Sequence, residues 1–197
     1  MVDDFELLER WSAGDRDAGG VLLRRHFDTL MRFFYGKVGG DIEDIVQTTL
    51  LGCVEARARF RGDCSFRTFL FAIARKSLLK YYRAKARDRT VDPAISSVWD
   101  LGTSPSSAVA RRERAELLLT ALQRVPIDFQ LALELHYWEG LAAAEIATVL
   151  DIDPGTARTR LHRGRKALRA VLEELEPDRE ASQRALERLL GDAPREQ

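Results

Sequence analysis

Apolar residues recur along most of this chain at intervals of three and four, the spacing that gathers them on one side of a helix. Phe5, Leu7, Leu8 and Trp11 keep that spacing approximately until Gly14 interrupts it. Val21, Leu22, Phe27, Leu30, Met31, Phe33 and Phe34 predict a second amphipathic helix that ends near Gly39-Gly40. Asp41 stands where it can cap a third, carrying Ile42, Ile45, Val46, Leu50, Val54 and Ala58. After Gly62, Phe66, Phe69, Leu70, Ile73 and Ala74 open a fourth pattern that leads into Leu78, Leu79, Tyr81 and Tyr82. Alternation bounded by tight turns, the mark of strands, is absent, so the expected fold class is all-α.

From Val91 to Ala110 the composition changes to turn and linker chemistry, with Pro93, Gly102, Pro105 and a run of serines and no basic residue. Trp99 and Leu101 interrupt it. Two small helical domains joined by a flexible linker are therefore expected: residues 1–90, a linker at 91–110, residues 111–175, and a C-terminal extension at 176–197. The extension carries an interrupted amphipathic pattern broken at Pro177, which reads as a helix that caps the second domain, with a regulatory contact as the alternative.

The clearest local signal is in the second domain. Ala142 to Leu150 reads as a short alanine-rich helix, Asp151-Ile152-Asp153 as a tight turn, and Pro154 as a first helical residue that can lack its N–H. The next helix runs from Gly155 to Leu168. Ile146, Leu150, Ile152, Ala157, Leu161 and Leu168 can bury one seam between the two, leaving Arg158, Thr159, His162, Arg163 and Lys166 exposed. This succession is a helix-turn-helix, whose second helix enters the major groove of DNA. The competing reading is a basic amphipathic helix solvated by its charges.

Charge strengthens the first reading. The chain has 31 basic and 31 acidic residues, so its net charge is zero, but phosphate responds to the local field. Between Phe60 and Arg89 stand nine basic residues against only Asp63 and Asp88; between Arg158 and Arg169 there are six and no acid. Cys53 and Cys64 have neither metal-ligand spacing nor a disulfide framework and are expected as reduced thiols of a cytoplasmic protein. No apolar run approaches the roughly 20 residues that span a bilayer, and the acidic start lacks a signal-peptide pattern, so no membrane insertion is expected. His162 has no nearby His or Cys in sequence, so no metal and no cofactor are expected.

Two segments carry a family resemblance. Asp41-Ile42-Glu43-Asp44-Ile45-Val46-Gln47, with Phe60-Arg61-Gly62-Asp63-Cys64-Ser65-Phe66-Arg67-Thr68-Phe69 and the residues to Arg75, resembles region two of bacterial RNA polymerase sigma factors. Leu122 to Pro126 and Gly140 to Leu168, including the G-T-x-R-[ST]-R-L-x-R sequence at Gly155 to Arg163, resembles region four. The match is closest to the extracytoplasmic-function group and covers most of residues 5–172. It implies a specificity subunit without an active site, with core RNA polymerase (beta-prime and beta subunits) and promoter DNA as partners, and an anti-sigma factor as a further one.

The resemblance also implies site residues. Glu43, Asp44 and Gln47 would face the beta-prime coiled coil, where acids and an amide suit arginines. Arg61, Arg67, Arg75, Lys76, Lys80 and Arg83 would meet the minus-ten element. Phe66, Phe69, Tyr81 and Tyr82 would pack or stack there, beside a break after Ile73-Ala74 that receives the flipped base. Arg158, Thr159, His162 and Arg163 would read the minus-thirty-five element, with Arg165 and Lys166 on phosphate. The linker would thread the polymerase channel toward the RNA exit. Relatives often have an acid at Thr48, asparagine at Lys76 and valine at Ala157, departures that put one polymerase contact and the preferred base in question. Two other classes fit the sequence less well. An ordinary helix-turn-helix regulator leaves the basic segment after Phe60 unexplained. A nucleic-acid enzyme lacks any nucleophile–base pair, glycine-rich phosphate loop or metal-ligating acid cluster, since Asp41, Glu43 and Asp44 share no helix face.

Overall fold

The computed structural model describes residues 2–40, 42–60, 62–87 and 116–175, and every regular element among them is helical. The chain divides into two compact units, Met1–Ile95 and Ser96–Gln197. Asp41, Arg61, the segment expected as linker and the C-terminal extension lie outside the described residues.

In the first unit α1 (Asp4–Ser12) starts on an Asp3 cap, whose Oδ1 accepts from the Glu6 N–H at 2.8 Å. It buries Leu7, Leu8 and Trp11 but leaves Phe5 exposed. Gly14, at φ +105°, turns the chain into α2 (Arg16–Arg25), capped by Asp15 through the N–H groups of Asp17 and Ala18. The two helices pack closely because Gly19 lies under the Trp11 indole.

The single helix expected from Val21 to Gly40 is in fact two, α2 and α3 (Phe27–Phe34), parted at His26. The His26 ring is buried, its Nε2 2.6 Å from Asp4 Oδ2 and its face tilted on Phe66 at 5.3 Å between centroids. Holding the ring there takes its backbone out of helical geometry. α3 also stops earlier than expected, at Phe34, before a turn through Gly36 at φ +71°.

α4 (Ile42–Ala56) buries Ile45, Val46, Thr49 and Cys53. The expected seam through Val54 and Ala58 is corrected: Val54 is exposed, and Ala58 is an exposed residue of a 3₁₀ turn, Arg57–Arg59. Thr49 takes a core position because its hydroxyl donates to the Ile45 carbonyl at 2.8 Å. Burial pushes the Cys53 thiol up to about 12, so it stays neutral and unreactive. α5 (Phe66–Arg87) then crosses the unit, burying Phe66, Leu70, Phe71, Ala74 and Leu78.

In the second unit residues 116–124 are helical (α6), followed by α7 (Ile127–Tyr137), α8 (Ala143–Leu150) and α9 (Pro154–Leu175). Every residue of α7 from Gln130 to Tyr137 is buried, making it the central helix of the described residues here. α9 lies against it at Gly164, where an added Cβ would come within 3.2 Å of Leu133 and Phe129.

Candidate nucleic-acid interfaces

The turn between α8 and α9 is built from local chemistry. The Glu145 carboxylate accepts from the Ala142 N–H at 3.0 Å, fixing the start of α8. Asp151 ends that helix in the left-handed region, at φ 50° and ψ 54°, a conformation that Asp tolerates better than most residues. The Ile152 N–H returns to the Ala147 carbonyl at 3.0 Å. Asp153 then caps α9, with Oδ1 accepting from the Thr156 N–H at 2.8 Å and Oδ2 from the Thr156 hydroxyl. Those bonds, the hydroxyl first, hold its carboxyl below the usual value. Ile146, Leu150, Ala157 and Leu161 bury the seam as expected, while Ile152 is only half-buried.

This seam fixes which way α9 faces. Arg158, Thr159, His162, Arg163, Lys166 and Arg169 are all exposed, and no acid interrupts the helix before Glu173. With the half-buried Arg165 they form two ridges at spacings of four and three: Arg158, His162, Arg165 and Arg169 on one, Thr159, Arg163 and Lys166 on the other. Thr159 donates its hydroxyl proton to the Gly155 carbonyl at 2.9 Å, which leaves its oxygen as an acceptor. Arg165 is half-buried and donates from Nη1 to the Tyr137 hydroxyl at 3.3 Å. Arg160, inside the G-T-x-R-[ST]-R-L-x-R sequence, turns back to Asp128 at 3.4 Å and serves the fold. Among the described residues no three His, Cys, Asp or Glu side chains gather as a metal site.

α5 supplies the second basic surface. It has seven basic residues and no acidic one. Phe69, Lys76, Lys80, Arg83 and Arg87 recur at helical spacing on the side away from the core, and the last four are exposed. Arg75 is half-buried on the flank of that stripe, and Arg67 is half-buried on the opposite side of the helix. Arg61 lies outside the described residues. The expected break after Ile73-Ala74 is not there: α5 runs unbroken from Phe66 to Arg87, since that stretch holds no glycine or proline and Ala74 is fully buried.

The four aromatics part company. Phe66 is core. Tyr81 is a latch, its hydroxyl donating to the Gly39 carbonyl at 2.7 Å and accepting from the Gly39 N–H at 2.9 Å. Tyr82 is half-buried beside it. Phe69 is half-buried and meets Phe60 edge-on at 4.9 Å, so the Phe60–Phe69 pair is the aromatic surface next to the lysines. Phe60 was not among the expected stacking residues, because it precedes the helical pattern.

Glu43, Asp44 and Gln47 all lie exposed in the first two turns of α4. Leu51, 63% exposed, and Val54, 41% exposed, continue the same side. Positions 44, 47, 51 and 54 are spaced by three and four, the signal that would have revealed this mixed acidic and apolar strip.

Comparison with known proteins decides what carries these surfaces. Residues 22–88 match Sigma-70 region 2, and residues 115–168 match Sigma-70, region 4. The RNA polymerase sigma-H factor of Pseudomonas aeruginosa is 30% identical over 185 residues, covering 87% of this chain and 95% of that protein. The chain belongs to the sigma-70 family of RNA polymerase sigma factors. The ECF RNA polymerase sigma-E factor of Escherichia coli K12, 29% identical over 178 residues with 85% and 93% coverage, is a further relative and marks the extracytoplasmic-function group. Two solved structures share the fold at a TM-score of 0.64: CnrH in complex with the cytosolic domain of CnrY, at 22% identity and 87% and 97% coverage, and RpoE in complex with the anti-sigma factor NepR from Bartonella quintana, at 20% identity and 77% and 94% coverage. As a sigma factor the protein recognises promoters and initiates transcription with RNA polymerase, a non-catalytic role.

Proposed function

We propose that the three surfaces divide the work of initiation. The exposed face of α9 reads the minus-thirty-five element, with Arg158, Thr159, His162 and Arg163 over base edges and Arg165 and Lys166 on flanking phosphates. The α5 stripe of Lys76, Lys80 and Arg83, with Arg75 on its flank, neutralises phosphate around the minus-ten element, and the Phe60–Phe69 pair offers a surface to unstacked bases. Arg67 points elsewhere and is left with a structural part. The α4 strip docks on the beta-prime subunit, Glu43, Asp44 and Gln47 toward its arginines and Leu51 and Val54 toward apolar side chains.

The observation that carries this reading is the acid-free exposed face of α9, set by the burial of Ala157, Leu161 and Leu168 on its other side. On this division residues 1–90 and 111–175 act as regions two and four, with 91–110 tethering them. The protein works in the cytoplasm beside polymerase and promoter. An anti-sigma factor belongs among its partners, supported by the complexes in which CnrH and RpoE were solved. No helix among the described residues is long and apolar enough to cross a membrane. The test is transcription from a pool of promoter fragments by core polymerase with and without the full chain. Defined start sites that depend on the protein and share two elements support the division; dependence on one element alone overturns it.

A further inference from the structure

Tyr137 is a buried aromatic at the end of α7, outside the α8–α9 surface, yet its hydroxyl reaches that surface. Its ring is held edge-on by His136 at 4.7 Å, and His136 Nδ1 lies 3.0 Å from the Leu141 carbonyl, just before α8. The Tyr137 ring thus packs on a histidine that is anchored to the loop before the helix-turn-helix. Arg165 Nη1 donates to it at 3.3 Å. A phenolic oxygen that accepts from a guanidinium keeps its own proton available, and the guanidinium keeps four further N–H donors. Arg165 also shares its ridge with Arg158, His162 and the exposed Arg169.

We infer that Tyr137 is a positioning residue for promoter binding: its hydroxyl presets the Arg165 guanidinium for one backbone phosphate of the strand beside α9. A free arginine must lose rotamer freedom to make such a contact, and one already tethered loses less. The inference rests on α9 being the minus-thirty-five helix. It adds a residue that touches no base, so it predicts affinity without sequence preference.

The experiment measures binding of the polymerase carrying the full chain to a promoter duplex recovered from the transcription pool, over a series of KCl concentrations. Tyr137→Phe keeps the ring and removes the hydroxyl. It is expected to weaken binding about 2- to 12-fold, the loss of one hydrogen bond, and equally on duplexes that differ in minus-thirty-five sequence. Arg165→Gln should lower the slope of log K against log salt by roughly 0.9, one phosphate, and Tyr137→Phe should lower it in the same direction. The double variant should be no worse than Arg165→Gln. Additive losses, or an unchanged slope in Tyr137→Phe beside a reduced one in Arg165→Gln, overturn the inference. Should Tyr137→Phe lower the melting temperature, Arg165→Gln still reads the phosphate, and an unchanged slope there overturns it as well. Arg158→Ala separates the two levels: if it too leaves minus-thirty-five dependence intact, the reading of α9 itself has failed.

Discussion

Leu51 offers the sharpest test of how this sigma factor meets polymerase. It is 63% exposed in the free chain, one turn beyond Gln47 on the strip that begins with Asp44. Fully burying a leucine side chain is worth roughly 1.5–3 kcal/mol. A partner that covers the exposed part of Leu51 therefore gains about 1–2 kcal/mol from it. Leu51→Ser should raise the Kd for core polymerase by about 5- to 30-fold. The fold should hardly notice, since an exposed substitution shifts stability by about 0.5 kcal/mol or less. Phe5 supplies a matched control: it is 65% exposed, on α1, and Phe5→Ser should leave the affinity unchanged. Titrating the fluorescently labelled full chain with core polymerase gives all three constants. If Leu51→Ser bound as tightly as the wild type while Asp44→Ala bound more weakly, the docking surface would end at the acids. Equal losses from Leu51→Ser and Phe5→Ser would show general stickiness and refute the assignment of α4.

Arg158→Ala and Arg163→Ala should each cost about 1–3 kcal/mol of promoter discrimination, measured as relative binding to matched and mismatched minus-thirty-five duplexes; unchanged discrimination would remove them from the readout. In α2, Gly20→Ala should stabilise the chain by about 0.5–1 kcal/mol through helix propensity, since its Cβ would meet only the flexible Arg24 end at 3.5 Å. Gly19→Ala should be less stable than Gly20→Ala by about 1–3 kcal/mol, because its Cβ would fall 2.4 Å from the rigid Trp11 indole; thermal unfolding of the two variants checks the order. Burial raises the Asp4 carboxyl, but its hydrogen bonds to His26 and Arg25 outweigh that and hold it below 3.8. The stability this supplies is present above the unfolded value and is lost as pH falls through the folded one. Between pH 5 and 3 the melting temperature of wild type should therefore drop more than that of Asp4→Asn.

Much of this architecture was legible because helix spacing and helix punctuation agree. The second unit is the clearest case: Pro154 stands at the first turn of α9, Asp153 caps it, and the basic face follows from where Ala157 and Leu161 are buried. The first unit hid more. The break at His26 comes from a buried ring partnered with Asp4, a contact across 22 residues that no local pattern displays. On α4, hydrophobicity misled, since Leu51 and Val54 face outward while Thr49 faces in with its hydroxyl satisfied by the backbone. Exposed apolar residues look, in sequence, like core. Arg67 shows the converse limit: a basic run names a charged helix but not the side on which each charge stands.

Several acids that offset the basic surfaces in the net charge are occupied within the fold. Asp3, Asp15 and Asp153 accept from backbone N–H groups at the starts of α1, α2 and α9, and Glu145 does so at α8. Asp4 ties α1 to Arg25 and His26, and Asp128 meets the inward-turned Arg160. These carboxylates are committed to helix ends and to arginines that serve the fold, so they do not neutralise Arg158, Arg163, Lys76 or Lys80. Helix N-termini favour negative charge in any case, and Asp153 stands at the cap of α9, leaving the stretch from Gly155 to Leu172 free of acids. Salt dependence of promoter binding should therefore follow the basic faces alone, as though the acids were absent. Substituting a capping acid should change stability and leave that dependence where it was.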